Sequence, residues 1–410
     1  MANSELSWQR LLKNTPNGCQ TLSKMPSRYI NGVYPKVLER GKGGHVWDEE
    51  GNEFIDLIAG LGAVSVGYAN EAVNYAAIKQ MEKGVSFSLP NSIEAEAAGR
   101  LTQLVPSTEM WKFFKTGSDA DTAAVRCARA FTNRDKILTC GYHGWHSWYS
   151  IQNDKKAGIV RDLAKYVNKA IYNKIETFDC LKSKEFAAVI IEPMIFEYPT
   201  EEFHGQLRKL CDETGTLLIW DEVVTGGRYR NFVAQRDFKI VPDLTVLSKG
   251  IANGFPLAGV GGSRRIMQTF ERDDFFVSGT FGGEAVSLAA CLATVDVLQS
   301  ALPKMIDMGE HIKDYFNYTF RHIKSECKGY PTRLTFDFAN KVHKALFMQE
   351  MCKSGILTGY SNMVMADHTE QDLLKIMNAM KHTVNVITKN LAAPEKALQG
   401  DMPVEALRLR

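Results

Sequence analysis

In DLTVLSKGIANGFPLAGVGG, residues Asp243–Gly262, an apolar strand-like run reaches Lys249 and passes at once into a glycine-rich turn. The chain holds 49 Lys and Arg, so a solvated surface lysine is the plain explanation. The alternative is an amine at the carboxyl end of a buried strand, where open α/β sheets bind their ligands. TLLIWDEVVTGGRYR, Thr216–Arg230, has the same form, with Asp221 directly after an apolar run. A carboxylate there needs a partner, either a structural ion pair such as Arg228 or a cationic ring nitrogen. In KTGSDADTAAVRCARAF, Lys115–Phe131, the pair Gly117–Ser118 opens a helix, and the spacing predicts Ser118 as its cap with Asp121 three residues on. Such a start is either a well-capped helix or a cradle for an anion. Neither GxxxxGK(S/T) nor GxGxxG spacing is present, which leaves nucleotides little support. GYHGWHSWY, Gly141–Tyr149, supplies aromatic walls for a flat ligand. His143 and His146 have no Cys, Asp or Glu beside them in this stretch, and no metal site is expected. SGTFGGEA, Ser278–Ala285, is a further glycine-rich turn, with Glu284 in the first turn of the helix it opens.

Each stretch alone has an ordinary structural reading. Together they meet the needs of one cofactor, pyridoxal 5′-phosphate (PLP): a phosphate cradle, an aromatic face, a carboxylate for the ring nitrogen and a lysine for the aldehyde. A Schiff base needs an unprotonated amine, which a desolvated pocket beside a cationic ring favours. Once displaced by substrate, the Lys249 amine is placed to act as general base and acid for a proton shift.

Those residues need a scaffold that brings them to one edge. From about residue 110 to 265, the runs MWKFF, KILTC, AAVIIEP, TLLIWDEV, DLTVLSK and LAGVGG alternate with helical patterns, including 118–131 and 205–213. Unbroken apolar strands between helices predict a mainly parallel, doubly wound α/β sheet. The first fifty residues read as a loop-rich arm followed by a hairpin turning at Glu50–Gly51. After about residue 284 the pattern is helical, with a capping box at Thr369 and Asp372 and a loose tail after Asn390. The expected division is 1–55 as arm and part of a small domain, 56–290 as the large cofactor-binding domain, and 291–410 as the rest of the small domain. No apolar run is read as approaching the roughly 20 residues of a membrane span, and the N-terminal stretch lacks a secretory signal pattern, so a cytoplasmic location is expected. The net charge of +2, without a basic stripe, argues against nucleic acid as a partner. The eight cysteines show no CxxC spacing and read as reduced core thiols.

The ordered set GHVWDEEGNEFID, KTGSDADTAAVRCAR, GYHGWH, IEP, WDEVVTGGR, PDLTVLSKGIANGFPLAGVGG and SGTFGGEA resembles the class III PLP-dependent aminotransferases, on the branch that includes glutamate-1-semialdehyde 2,1-aminomutase. The resemblance covers roughly residues 20–390. It implies the fold type I architecture, with a small domain built from both chain ends, and a homodimer that shares its active sites. By resemblance Lys249 is the cofactor-anchoring lysine, Asp221 the ring-nitrogen partner, Val223 and Tyr142 the side chains on the two ring faces, and Gly117 and Ser118 the phosphate loop. Thr280 matches a phosphate contact donated by the neighbouring subunit, Glu192 lies in the family's EP motif near the cofactor, and Arg28 and Trp145 are implied in substrate binding. The chain also departs from the aminomutase branch. WHSWYSIQNDKKAGIVRD replaces the branch's glycine- and serine-rich gating loop, Met25 stands where a serine is usual, and MIFEYPT follows Glu192–Pro193. The expected reaction is therefore intermolecular transfer from an amino acid or amine to a keto acid, aldehyde or keto-sugar, with the aminomutase reaction as the alternative.

Overall fold

A computed structural model describes residues 3–404. The chain forms two compact units, one of Glu71–Ser300 and the other of the residues up to Asn70 with those from Ala301 onward.

In Glu71–Ser300 a seven-stranded sheet has the order Met110–Phe114, Ala258–Gly262, Leu244–Leu247, Leu217–Glu222, Phe186–Ile191, Lys136–Cys140, Val167–Lys169. The strands Phe186–Ile191, Leu217–Glu222, Leu244–Leu247 and Ala258–Gly262 are buried along their whole length, as unbroken apolar runs require. Pairing is parallel from Leu244–Leu247 through to Val167–Lys169. Ala258–Gly262 runs antiparallel to both of its neighbours. The link from Leu247 to Ala258 is shorter than the roughly dozen residues that a parallel crossover needs, so the chain must return along its own direction. Its glycines admit the next strand: a Cβ on Gly261 would fall 2.7 Å from the Trp111 ring and 2.8 Å from Thr108. Two reversals bring Met110–Phe114 back into the common direction, and the carboxyl ends of six strands share one edge.

The helix Gly117–Thr132 lies on this sheet through small side chains, Ala120, Ala123, Ala124, Cys127 and Ala128, in one core with Ala187, Ala188, Val246, Ala258 and Val260. Its cap corrects the sequence reading. Thr116 keeps an extended backbone and Gly117 is already helical, so the capping box pairs Thr116 with Asp119 instead of Ser118 with Asp121.

In the other unit the hairpin around Glu50–Gly51 joins His45–Asp48 to Glu53–Asp56, and Ile356–Leu357 adds to it in parallel. The expected loop-rich arm contains a twelve-residue helix, Asn3–Asn14. The region expected to be helical contains a three-stranded sheet of Ser325–Tyr330, Arg333–Phe338 and Asn362–Met363. Its aromatic residues pack with Phe316, Phe320 and Phe347, the first two stacked at 4.5 Å. Glu370–Lys389 has the capping box expected at Thr369 and Asp372. The tail after Asn390 is tied down as far as it is described: Gln399 N donates to Gln349 Oε1 at 2.7 Å, and Val404 N to Ser27 O at 2.8 Å. One further expectation fails. The helix Ala285–Thr319 is long and apolar enough to cross a membrane, yet 61% of its most apolar window is buried within the protein, as in a core helix.

Thr116→Ala is expected to lower the unfolding free energy by about 1 kcal/mol, with Ser118→Ala costing less, as read from urea midpoints. A larger loss from Ser118→Ala would return the cap to Ser118.

Candidate active site

The carboxyl edge of the sheet gathers most of the residues that the sequence singled out in Glu71–Ser300. Lys249 opens a short 3-10 turn, Lys249–Ala252, two residues after its strand ends. Its φ is +50°, in the left-handed region that side-chain-bearing residues seldom occupy. Strain of this kind costs on the order of 1–3 kcal/mol and persists only where the surroundings over-determine it. Here Ser248 Oγ donates to Leu257 O at 2.8 Å and pins the two ends of the link together.

Asp221 is the penultimate residue of Leu217–Glu222 and only 3% exposed. Its Oδ2 lies 2.7 Å from His143 Nδ1, and its Oδ1 accepts from Val223 N at 3.0 Å. His143 is fully buried, with Tyr149 edge-on at 5.4 Å. The sequence weighed His143 as a weak metal ligand beside His146, but the structure turns the two rings to different partners. His146 Nδ1 contacts Thr122 Oγ1 at 2.8 Å. Tyr142 N donates to Glu192 Oε1 at 2.9 Å, which ties the aromatic loop to the residue after Phe186–Ile191. Tyr149 Oη donates to Gly141 O, and its ring lies edge-on to Tyr142 at 5.7 Å.

The loop closes over the start of Gly117–Thr132. Gly144 has φ +91°, and a Cβ there would fall 2.2 Å from Ser118 Oγ. Trp145 N approaches the same oxygen at 3.4 Å. Gly117 is equally constrained, because a Cβ would stand 2.9 Å from a Val223 methyl. Gly117, Ser118, Tyr142, Glu192, Asp221, Val223 and Lys249 thus all belong to this edge and the loops that leave it. Sequence reasoning missed Asp121, which is buried beside Asp221 and His143. The signal was present in its spacing, but three residues from Ser118 it read as a capping partner.

Three other residues stand differently. Thr280 is exposed in the turn before Ala285–Thr319, where Lys115 Nζ reaches Glu284 Oε2 at 2.7 Å. Glu284 lies just ahead of that helix, not in its first turn, and accepts from Val286 N and Ser287 N. Trp145 is 72% exposed, its ring T-shaped to His146 at 4.9 Å. Arg28 belongs to the other unit, where Nε and Nη1 donate to Leu22 O and Val404 O.

The residues fit a flat, phosphorylated, cationic ring. Gly117 lets the Val223 side chain pack against the start of the helix, the helix begins at the same edge, and a buried carboxylate and a lysine complete the set. The model of the family "Aminotransferase class-III" matches residues 29–383. Glutamate-1-semialdehyde 2,1-aminomutase of Methanothrix thermoacetophila is 34% identical over 329 residues, 76% of this chain and 76% of its own. Among solved structures, the FumI protein of Sphingopyxis sp., in its PLP internal aldimine form, superposes with a TM-score of 0.89 at 25% identity, covering 97% of this chain and 99% of that one. An omega-transaminase from Sphaerobacter thermophilus has a TM-score of 0.86 at 22% identity over 94% and 97% of the two chains, a likeness of fold.

Proposed function

Since this chain belongs to the class III aminotransferases, whose cofactor is PLP, we propose that it moves an amino group from an amino acid or amine to a separate keto acid, aldehyde or keto-sugar acceptor. The observation that carries this reading is the meeting of Lys249, Asp221 with its His143 partner, and Gly117–Ser118 at one sheet edge. Bound PLP supplies an electron sink for the carbon from which a proton is removed. Lys249 anchors it covalently and, once released, carries that proton on Nζ. Asp221 holds the positive charge on the ring nitrogen, and the short contact to His143 keeps the carboxylate in place. Val223 and Tyr142 would cover the two ring faces, Gly117 and Ser118 would take the phosphate, and Glu192 holds the Tyr142 loop. Arg28 and Trp145 belong to the substrate side of this reading.

The second reading is intramolecular transfer, as the name of the Methanothrix relative states for that protein. Met25 and the charged, aromatic stretch Trp145–Asp162 favour the first, since they stand where the aminomutase branch has a serine and a flexible gate.

A homodimer completes the proposal. Tyr75, Ile78 and Met81 are spaced for one helical face and are exposed, followed by exposed Val85, Phe87 and Leu89. A run of this kind marks an interaction surface. Phe281 is likewise 61% exposed beside Thr280, which suits a turn that serves a neighbouring copy. The free cysteines agree with a cytoplasmic setting.

Borohydride is expected to fix the cofactor on Lys249, and Lys249→Ala to lose turnover by several orders of magnitude. Peptide mapping that finds the label on another lysine overturns the assignment. In a donor screen, an amino donor alone should shift the cofactor absorbance and release its carbonyl product, with turnover only when an acceptor is added. Efficient conversion of glutamate 1-semialdehyde to 5-aminolevulinate without a second substrate would reverse the order of the two readings. Mixing Lys249→Ala subunits with Thr280→Ala subunits should restore part of the activity, because one site of the heterodimer then keeps both residues. Exchange without recovery places Thr280 outside its neighbour's site.

A further inference from the structure

Asp121 is a buried acid for which the proposed reaction has no task. It sits in the first turns of Gly117–Thr132 and is 2% exposed. One carboxylate oxygen of Asp121, one of Asp221 and one ring nitrogen of His143 lie within 4.8 Å of one another. Within this trio the hydrogen bonding is lopsided. Asp221 has His143 Nδ1 at 2.7 Å and Val223 N at 3.0 Å, whereas Asp121 Oδ1 and His143 Nε2 are buried with no hydrogen-bond partner among the described residues.

Two ionised carboxylates this close, shut away from water, repel each other strongly, so the trio must retain a proton besides the one between His143 and Asp221. It has two places to go. On His143 Nε2 it would add a positive charge and leave both carboxylates ionised. On Asp121 it needs no second charge in the pocket at all. The surrounding charges agree. Burial foremost, then Asp221, push Asp121 well above the usual aspartate range; Lys249 pulls the other way and Glu192 adds to the rise.

We propose that Asp121 is a positioning residue that stands as a neutral carboxylic acid beside Asp221, so that the pocket offers the cofactor's ring nitrogen one negative charge, fixed in place by His143. The inference rests on the PLP reading for the ring nitrogen, but not for the protonation of Asp121. A second ionised carboxylate would compete with Asp221 for the ring cation. A neutral acid instead keeps the trio at a single charge.

The test has one arm without cofactor and one with it. In the apoprotein labelled with carboxyl-13C aspartate, one resonance should remain in its protonated position at pH 7 and vanish in Asp121→Asn. Its absence from the wild type overturns the proposal, whatever the cofactor proves to be. The sign of the pH dependence follows. Between the unfolded and folded ionisation ranges of Asp121 the native state binds more protons, so its contribution to stability is full below the unfolded value and is lost as pH rises through the folded one. The urea midpoint of the apo Asp121→Asn variant should therefore gain on the wild type as pH rises from 5 to 9; a constant difference overturns the proposal. In the second arm, Asp121→Asn, which copies the neutral acid, should bind PLP within about 3-fold of the wild type, and Asp121→Ala should bind it roughly tenfold more weakly. Equal losses in Asn and Ala would mean that a charge was being used, and no loss in either would mean that Asp121 positions nothing. Both outcomes overturn the proposal. Failure of the PLP reading itself would show differently, as wild-type protein that takes up no PLP while the protonated aspartate signal persists.

Discussion

A carboxylate buried at the end of a central strand needs a polar partner close by, and much of this site follows from how Asp221 obtains one. His143 must bring Nδ1 to within 2.7 Å, so the loop after Lys136–Cys140 has to turn inward across the neighbouring strand ends. Gly141 and Gly144 make that path possible with φ values of +115° and +91°. The loop then lies so near the helix start that Gly144 all but touches Ser118, and Tyr142 is held by Glu192. One short contact thus links four connections of the sheet edge. A change at His143 would be felt at the anion cradle as well as at Asp221.

The second constraint is the shortness of the link from Leu247 to Ala258. It turns Ala258–Gly262 antiparallel to its neighbours, and Lys249, within the same link, sits at positive φ. The glycines of Ala258–Gly262 and the small face of Gly117–Thr132 answer the same need for close approach.

Buried charge is handled differently at the neighbouring carboxylates. Glu222 adjoins Asp221 in sequence but turns to Ala234 N, Gln235 and Thr225, and burial pushes it up to about 7. Its ring of donors serves the segment that follows the strand, so Asp221 alone of the pair is left with His143. The alternation of side chains along a strand separates the two roles.

Much of this was legible in the linear chain. Strands buried on both faces announce themselves as unbroken apolar runs, so six of the seven strands of the large sheet, the alternation with helices and the places of Lys249 and Asp221 could be read directly. Glycines that precede or follow strands marked the turns for the same local reason. What could not be read depends on partners distant in sequence. The strands Ser325–Tyr330 and Arg333–Phe338 owe their form to the aromatic side chains they pack with, Phe316, Phe320 and Phe347. The cap moved from Ser118 to Thr116 because the backbone was already helical at Gly117. That shift freed Asp121 to turn inward. His143, in an aromatic loop where no metal was expected, shows nothing in its spacing of the contact that folding makes with Asp221, 78 residues away. The sequence determined which residues stand at strand ends, because burial and turn chemistry are local. Only the tertiary structure decided which of them meet, because hydrogen bonds between buried groups are settled by distances that spacing along the chain does not contain.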